Sequence, residues 1–103
     1  MVKTKEVREA ITNLSDTVDL MNSADYKERF IAEYMQTKIR YEKLKAFCNK
    51  IEAAQIISCS EIETKLSEPT HDCPAELLVE QQRIMGEYLH LLELRAVIEG
   101  ITL

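Results

Sequence analysis

The chain has 103 residues, 46% of them apolar and 30% charged, with a formal net charge of −5, which suits one small folded domain and neither a disordered nor a membrane-embedded chain. No apolar run nears the roughly 18 residues of a spanning helix, and the opening MVKTKEVREAI has no apolar secretion core. The charge is uneven: residues 25–57 are net +2 and residues 58–103 net −6, a balance that argues against duplex DNA, which rewards a basic face through counterion release.

Glycine occurs only at Gly86 and Gly100 and proline only at Pro69 and Pro74. With no hairpin-turn dipeptide and no apolar/polar alternation, the prediction is all helix. Val7, Ile11, Leu14, Val18 and Met21 follow in steps of four and three and predict a first amphipathic helix over about 4–21, within an N-terminal unit 1–24. Asp25 followed by Glu28 predicts a capped start for a second helix over about Tyr26–Ile57. Its seam is Phe30, Tyr34, Thr37, Tyr41, Leu44, Cys48 and Ile51. A second apolar line, Ile31, Met35 and Ile39, fits either contact with the N-terminal helix or a subunit interface.

In the connection, Ser60 and Glu63 suit one further helical turn through Leu66, which Pro69 stops. Asp72 or Cys73 is then expected to cap a third helix with Pro74 in its first turn, ending at Glu99 with Gly100 as the stop. Helices two and three should form a long antiparallel hairpin over 25–103.

The third helix carries Leu77, Leu78, Ile84, Met85, Leu89, Leu91, Leu92, Ala96 and Ile98, read as one apolar stripe. Gln81, Tyr88 and Arg95 lie seven apart within it and are expected to point the same way. A buried arginine must be paired, so Arg95 calls for a carboxylate of another helix, such as Glu33 or Glu42, or for an anionic ligand. Guanidinium matches phosphate through its donor fork, and tyrosine offers a face on which a base can stack. On the second helix, Lys38 and Lys45 flank the seam that holds Tyr34 and Tyr41. By themselves they read first as lysines that snorkel toward acids of the third helix with core tyrosines reaching the rim, and second as an anion-binding edge.

Nothing marks an enzyme. His71 and His90 are distant, no nucleophile stands beside a base, and His71, Cys73 and Cys59 lack a fourth metal ligand, so no metal and no cofactor is expected. Three unevenly spaced cysteines read as reduced thiols of a cytoplasmic protein.

The segments DYKERFIAEYMQTKIRYEKLKAF and LLVEQQRIMGEYLHLLELRAVIEGI resemble the helical-hairpin domain of small phage proteins. That group includes proteins of crAss-like phages and the sponges that counter the CBASS and Thoeris defence systems. The likeness covers about residues 25–52 and 75–101 and is best marked at Gln81, Gln82, Met85, Tyr88, Leu92, Arg95 and Ala96. It implies a homo-oligomer, from dimer to hexamer, that holds a cyclic di- or trinucleotide or a cyclic ADP-ribose isomer between subunits, uncleaved, in the host cytoplasm. Arg95 matches the arginine late in the family's last helix, and Lys38, Tyr34 and Tyr41 match its first arm more loosely. Tyr26 with Arg29 is an approximate counterpart of a tyrosine–arginine pair in the anti-CBASS members.

The reading is therefore an all-α homo-oligomer that sequesters a cyclic nucleotide through Arg95, Tyr88, Gln81, Lys38, Tyr34, Tyr41 and Lys45. The alternative is a structural or protein-interaction module without a small ligand. A weak single-strand nucleic-acid binder using the Lys38–Lys45 edge is a third reading.

Overall fold

The computed structural model describes residues 11–58 and 66–103. Val7, Cys59 and the turn predicted from Ser60 and Glu63 lie outside the described residues. A 3-10 turn, Leu14–Thr17, leads into α1 (Val18–Met21), followed by α2 (Tyr26–Ser58) and α3 (Ala75–Glu99). Among the described residues there is no strand. At about 1.5 Å per residue α2 runs some 50 Å, and the molecule is a rod of 58 × 24 × 23 Å.

The two long helices are antiparallel: Tyr26 bonds to Glu99 near the open end, Tyr34 to Glu93 a turn or two further in, and Tyr41 lies against Gly86 near the middle. Every residue of the predicted α2 seam is buried or half-buried. Asp25 Oδ1 accepts from the Lys27 N–H at 2.9 Å and so starts α2, but Glu28 turns to the Ser23 hydroxyl at 3.1 Å rather than completing a box. Pro74, not Asp72 or Cys73, stands at the N-cap of α3, without a side-chain cap. Its carbonyl accepts from the Leu77 and Leu78 N–H groups. Gly100 ends α3 at φ 71°, a left-handed conformation that glycine adopts without strain.

The continuous N-terminal helix does not form over its described part. Asn13 is extended and caps the 3-10 turn reciprocally with Asp16. The Asp16 carboxylate also accepts from the Thr12 backbone and hydroxyl at 2.9 Å. Short polar side chains here capture backbone groups that a through-going helix would need. The 3-10 geometry also resets the period to three. Ile11, Leu14, Thr17 and Leu20 face the protein, whereas Val18 and Met21, predicted to lie in the seam, are exposed.

Among the described elements, the N-terminal turns pack on α2 alone, and they cover the line Ile31, Met35, Ile39. Ile31 is 0% exposed and Met35 and Ile39 pack against the core, so this line is an internal contact and not a free subunit face. The main core gathers at the open end of the hairpin: Phe30, Ile31 and Tyr34 with Leu89, Leu92 and Ala96, closed by Ile11 and Ile101.

The apolar stripe of α3 proves to be two stripes. Its apolar residues come in adjacent pairs (Leu77–Leu78, Ile84–Met85, Leu91–Leu92), and neighbours differ by about 100° around a helix. With α2 as the only long neighbour, one member of each pair can be buried. The inward line is Leu78, Gln82, Met85, Leu89, Leu92, Ala96 and Glu99, all buried or half-buried. The outward line is Leu77, Ile84, Leu91 and Ile98, which are 57%, 53%, 58% and 83% exposed. Gln81, Tyr88 and Arg95 belong with the outward line and are exposed, which corrects their expected place in the seam.

Ile31→Ala should lower stability by about 2–5 kcal/mol, the range for emptying a fully buried isoleucine site. A urea midpoint that fails to fall would show that the N-terminal turns do not cover α2 there.

Candidate functional site

The seven candidate residues fall on two edges of the hairpin. Glu33 and Tyr34 are one residue apart on α2 and leave the seam on opposite sides, as do Tyr88 and Gly86 on α3, which are about 200° apart. One edge holds the Tyr34–Gly86 side and the other the Glu33–Tyr88 side.

On the first edge, Tyr34, Lys38, Tyr41, Glu42, Gly86, Leu89 and Glu93 line a groove of about 220 Å³. Tyr41 and Gly86 are shared with a wider, more open hollow of about 710 Å³ that continues to Gln82, Arg83, Glu87, His90 and Leu91. A β-carbon on residue 86 would stand 3.2 Å from Tyr41 Cε1, so the absence of a side chain is what lets the Tyr41 ring lie against α3. Tyr34 reaches the groove from the core: its ring is buried, and its hydroxyl donates to Glu93 Oε2 at 2.6 Å. Lys38 is half-buried and Lys45, two turns along α2, is exposed. Glu42 and Glu93 line the same groove as Lys38.

On the second edge, Arg95 is not a buried charge in search of a partner. Its guanidinium lies 4.8 Å over the Phe30 ring, its Nε donates to Glu99 Oε2 at 2.9 Å, and its side chain is about half exposed. The partner is one turn along the same helix, so neither Glu33 nor Glu42 is required. Tyr26 donates to the other oxygen of Glu99 at 3.1 Å, and the three side chains clasp the start of α2 to the end of α3. Arg95 Nη1 and Nη2 donate to nothing among the described residues. Tyr88 donates its hydroxyl to Glu33. Gln81 has only Met85 Sδ near its amide, at 4.0 Å.

Hydrogen bonding sets the titration of this clasp. The Arg95 bond, then that of Tyr26, holds Glu99 below the ordinary glutamate value. Acceptance by Glu99 raises the Tyr26 phenol, and acceptance by Glu33 raises that of Tyr88.

Of the metal set considered from sequence, Cys59 lies outside the described residues. His71 Nδ1 is 2.6 Å from the Cys73 carbonyl and Nε2 is 3.4 Å from Glu68, so both ring nitrogens have partners. The first contact, then the second, raises the imidazole pKa. Among the described residues no three His, Cys, Asp or Glu side chains group as a metal site, and no helix is long and apolar enough to cross a membrane.

The sequence profile of the Sequestin family matches residues 24–98, a stretch that takes in nearly all of both long helices and the groove they form. The chain belongs to the Sequestin family. Sequestin proteins are non-catalytic sequestering proteins, the cyclic-nucleotide sponges directed against CBASS and Thoeris. This is the family that the resemblance at Gln81–Ala96 implied. No match to a curated protein or to a solved structure was found.

The groove residues missed from sequence are Gly86, Arg83 and His90. A glycine in the middle of a long helix costs roughly 0.5–1 kcal/mol relative to alanine, and that cost was the available signal that another group needs the space.

The clasp gives a pH test. Because Glu99 is depressed, its contribution is complete above the unfolded-chain value and is lost as pH falls through the folded value. Melting temperature should therefore drop on acidification below about pH 4.3. Glu99→Gln should be less stable at neutral pH and show a shallower acid drop, with Glu80 and Asp16, also depressed, supplying the remainder. Parallel profiles for the two proteins would refute the clasp.

Proposed function

We propose that the chain is a sponge that binds a cyclic nucleotide immune signal, a cyclic di- or trinucleotide or a cyclic ADP-ribose isomer, without cleaving it, in the cytoplasm of an infected host. The observation that carries this reading is the Sequestin match across the hairpin, and the Tyr41–Gly86 groove is its geometric counterpart. Tyr41 supplies a half-buried aromatic edge for a base, and Lys38 supplies a cation for phosphate, while the nearby Arg83 is paired with Glu80 and Glu87.

One chain does not suffice. Well-formed ligand sites enclose about 300–1,000 Å³ and bury 70–90% of the ligand, whereas the Tyr34–Lys38–Tyr41 groove is smaller, open and flanked by carboxylates. A sponge must bind near nanomolar, about −12 kcal/mol, because affinity is its whole function. The reading therefore includes a homo-oligomer in which a neighbouring copy supplies the missing wall. Gln81, Tyr88 and Arg95, on the far edge of one chain, and the exposed Lys45 join the site through such a neighbour. The exposed outward line of α3 also favours a second reading, a protein-interaction module without a small ligand.

Native mass spectrometry after incubation with a panel of cyclic nucleotides separates the two. The sponge reading expects a stoichiometric adduct whose nucleotide is recovered intact after denaturation. No retained nucleotide at micromolar concentration across the panel would leave the interaction module standing, and excess hydrolysed product would reveal an enzyme.

Tyr41→Ala is expected to weaken binding at least tenfold, about 1.4 kcal/mol, with helix content retained. Arg95→Ala removes the pair with Glu99 and the cover over Phe30, so a similar loss of affinity there reports ligand contact when helix content and subunit count are unchanged. Unchanged affinity in both variants would remove these residues from the site.

A further inference from the structure

The connection between α2 and α3 is tied down around one imidazole. The His71 side chain is 21% exposed, and its ring stands edge-on to Phe47 of α2 with centroids 6.3 Å apart. Its Nδ1 lies 2.6 Å from the Cys73 carbonyl oxygen and its Nε2 3.4 Å from Glu68 Oε1. That same Glu68 oxygen accepts from the Gln55 side-chain amide of α2 at 3.1 Å. One ring therefore joins the connection to α2, through Phe47 and Glu68, and to Cys73, beside the start of α3 at Pro74, which has no side-chain cap.

Both ring nitrogens face acceptors, and this selects a charge state. A carbonyl oxygen cannot donate, and an ionised carboxylate only accepts. Neutral imidazole carries one N–H, so it satisfies one contact and sets a lone pair against the other oxygen. Imidazolium donates to both, and charge-assisted hydrogen bonds are stronger than neutral ones. The charges acting on the ring are Glu68 and Asp72 of its own segment, both anionic. From α2 it meets Phe47 and, through Glu68, Gln55, neither of which ionises.

We infer that His71 is a proton-operated latch at the turn end of the hairpin: its imidazolium fastens residues 68–73 to α2, and deprotonation frees Glu68. The Cys73 contact survives, because it is the shorter and needs a single N–H. What slackens is the Glu68 bridge to Gln55, beside the hollow that Gln55 borders and away from the main core. The pH dependence runs opposite to that of the clasp. The Cys73 carbonyl, then Glu68, raises the imidazole pKa. The latch is therefore complete below the unfolded-chain value of about 6.5 and is lost as pH rises through the folded value. Histidine is the side chain suited to switching near neutrality. The inference does not rest on nucleotide binding.

The test uses the full chain in the absence of nucleotide. In an NMR titration between about pH 5 and pH 9, the His71 ring should change charge with a midpoint above about 6.5. The Phe47 ring and Gln55 amide signals should follow the same midpoint. Glu68→Gln should lower that midpoint, and His71→Gln should abolish the transition at Phe47 and Gln55. The melting-temperature gap between wild type and His71→Gln, which share every other titrating group, should be widest near about pH 6 and narrow as pH rises. The wild-type titration and Glu68→Gln decide the matter even where His71→Gln does not fold. A His71 midpoint at or below about 6.5, Phe47 and Gln55 signals that stay still through it, a midpoint unmoved by Glu68→Gln, or a melting gap independent of pH each overturns the latch.

Discussion

Everything in this molecule follows from a limit on what two helices can bury. α2 and α3 share one seam, and an isolated pair offers each helix a single long neighbour. α2 escapes part of the limit because the N-terminal turns cover Ile31, Met35 and Ile39 on a second side. α3 has no such cover among the described residues. Its paired apolar residues divide into a buried line and an exposed one, and the polar residues between them take their place from that division.

The same limit explains which parts were legible in the sequence. The start of α2 and the end of α3 were plain, because Asp25 and Gly100 act through local backbone chemistry, whereas Pro74 took the cap of α3 that Asp72 or Cys73 was expected to fill. The α2 seam was plain because it runs unbroken from Phe30 to Ile51, whereas the second apolar line ends after Ile31, Met35 and Ile39. The α3 stripe was ambiguous because Leu77–Leu78, Ile84–Met85 and Leu91–Leu92 each offer two choices about 100° apart, and only the position of α2 selects between them. That one ambiguity carried Gln81, Tyr88 and Arg95 into a seam they do not occupy. The N-terminal segment misled for a different reason: its heptad spacing fits an α-helix, but Thr12, Asn13 and Asp16 bond locally and impose a three-residue period.

The candidate site was half legible. Tyr34, Lys38 and Tyr41 do meet in one groove, since residues seven apart on α2 and their neighbours share an edge. The groove itself depends on what faces it across the seam, and no spacing rule for one helix reports that. Arg95 shows the converse. Its chemistry was read as a demand for a distant anion, yet an arginine side chain spans one helical turn and Glu99 lies there.

The uneven placement of the core has a mechanical consequence. At the open end Phe30, Ile31 and Tyr34 are packed from two sides and clasped by Tyr26, Glu99 and Arg95. Toward the turn, the buried residues of α2 among those described are Cys48, Ile51 and Ala54, with Phe47 edge-on to His71 and Gln55 donating to Glu68, beside a hollow of about 460 Å³ bordered by Gln55, Glu76 and Val79. Regions with few buried apolar contacts open at lower free energy than the core. Buried packing among the described residues is thus denser at the clasp than toward the turn, and opening of the helix pair costs least where that packing is thinnest. Thermal motion at the Tyr41–Gly86 groove, near mid-rod, is set by how far that opening travels.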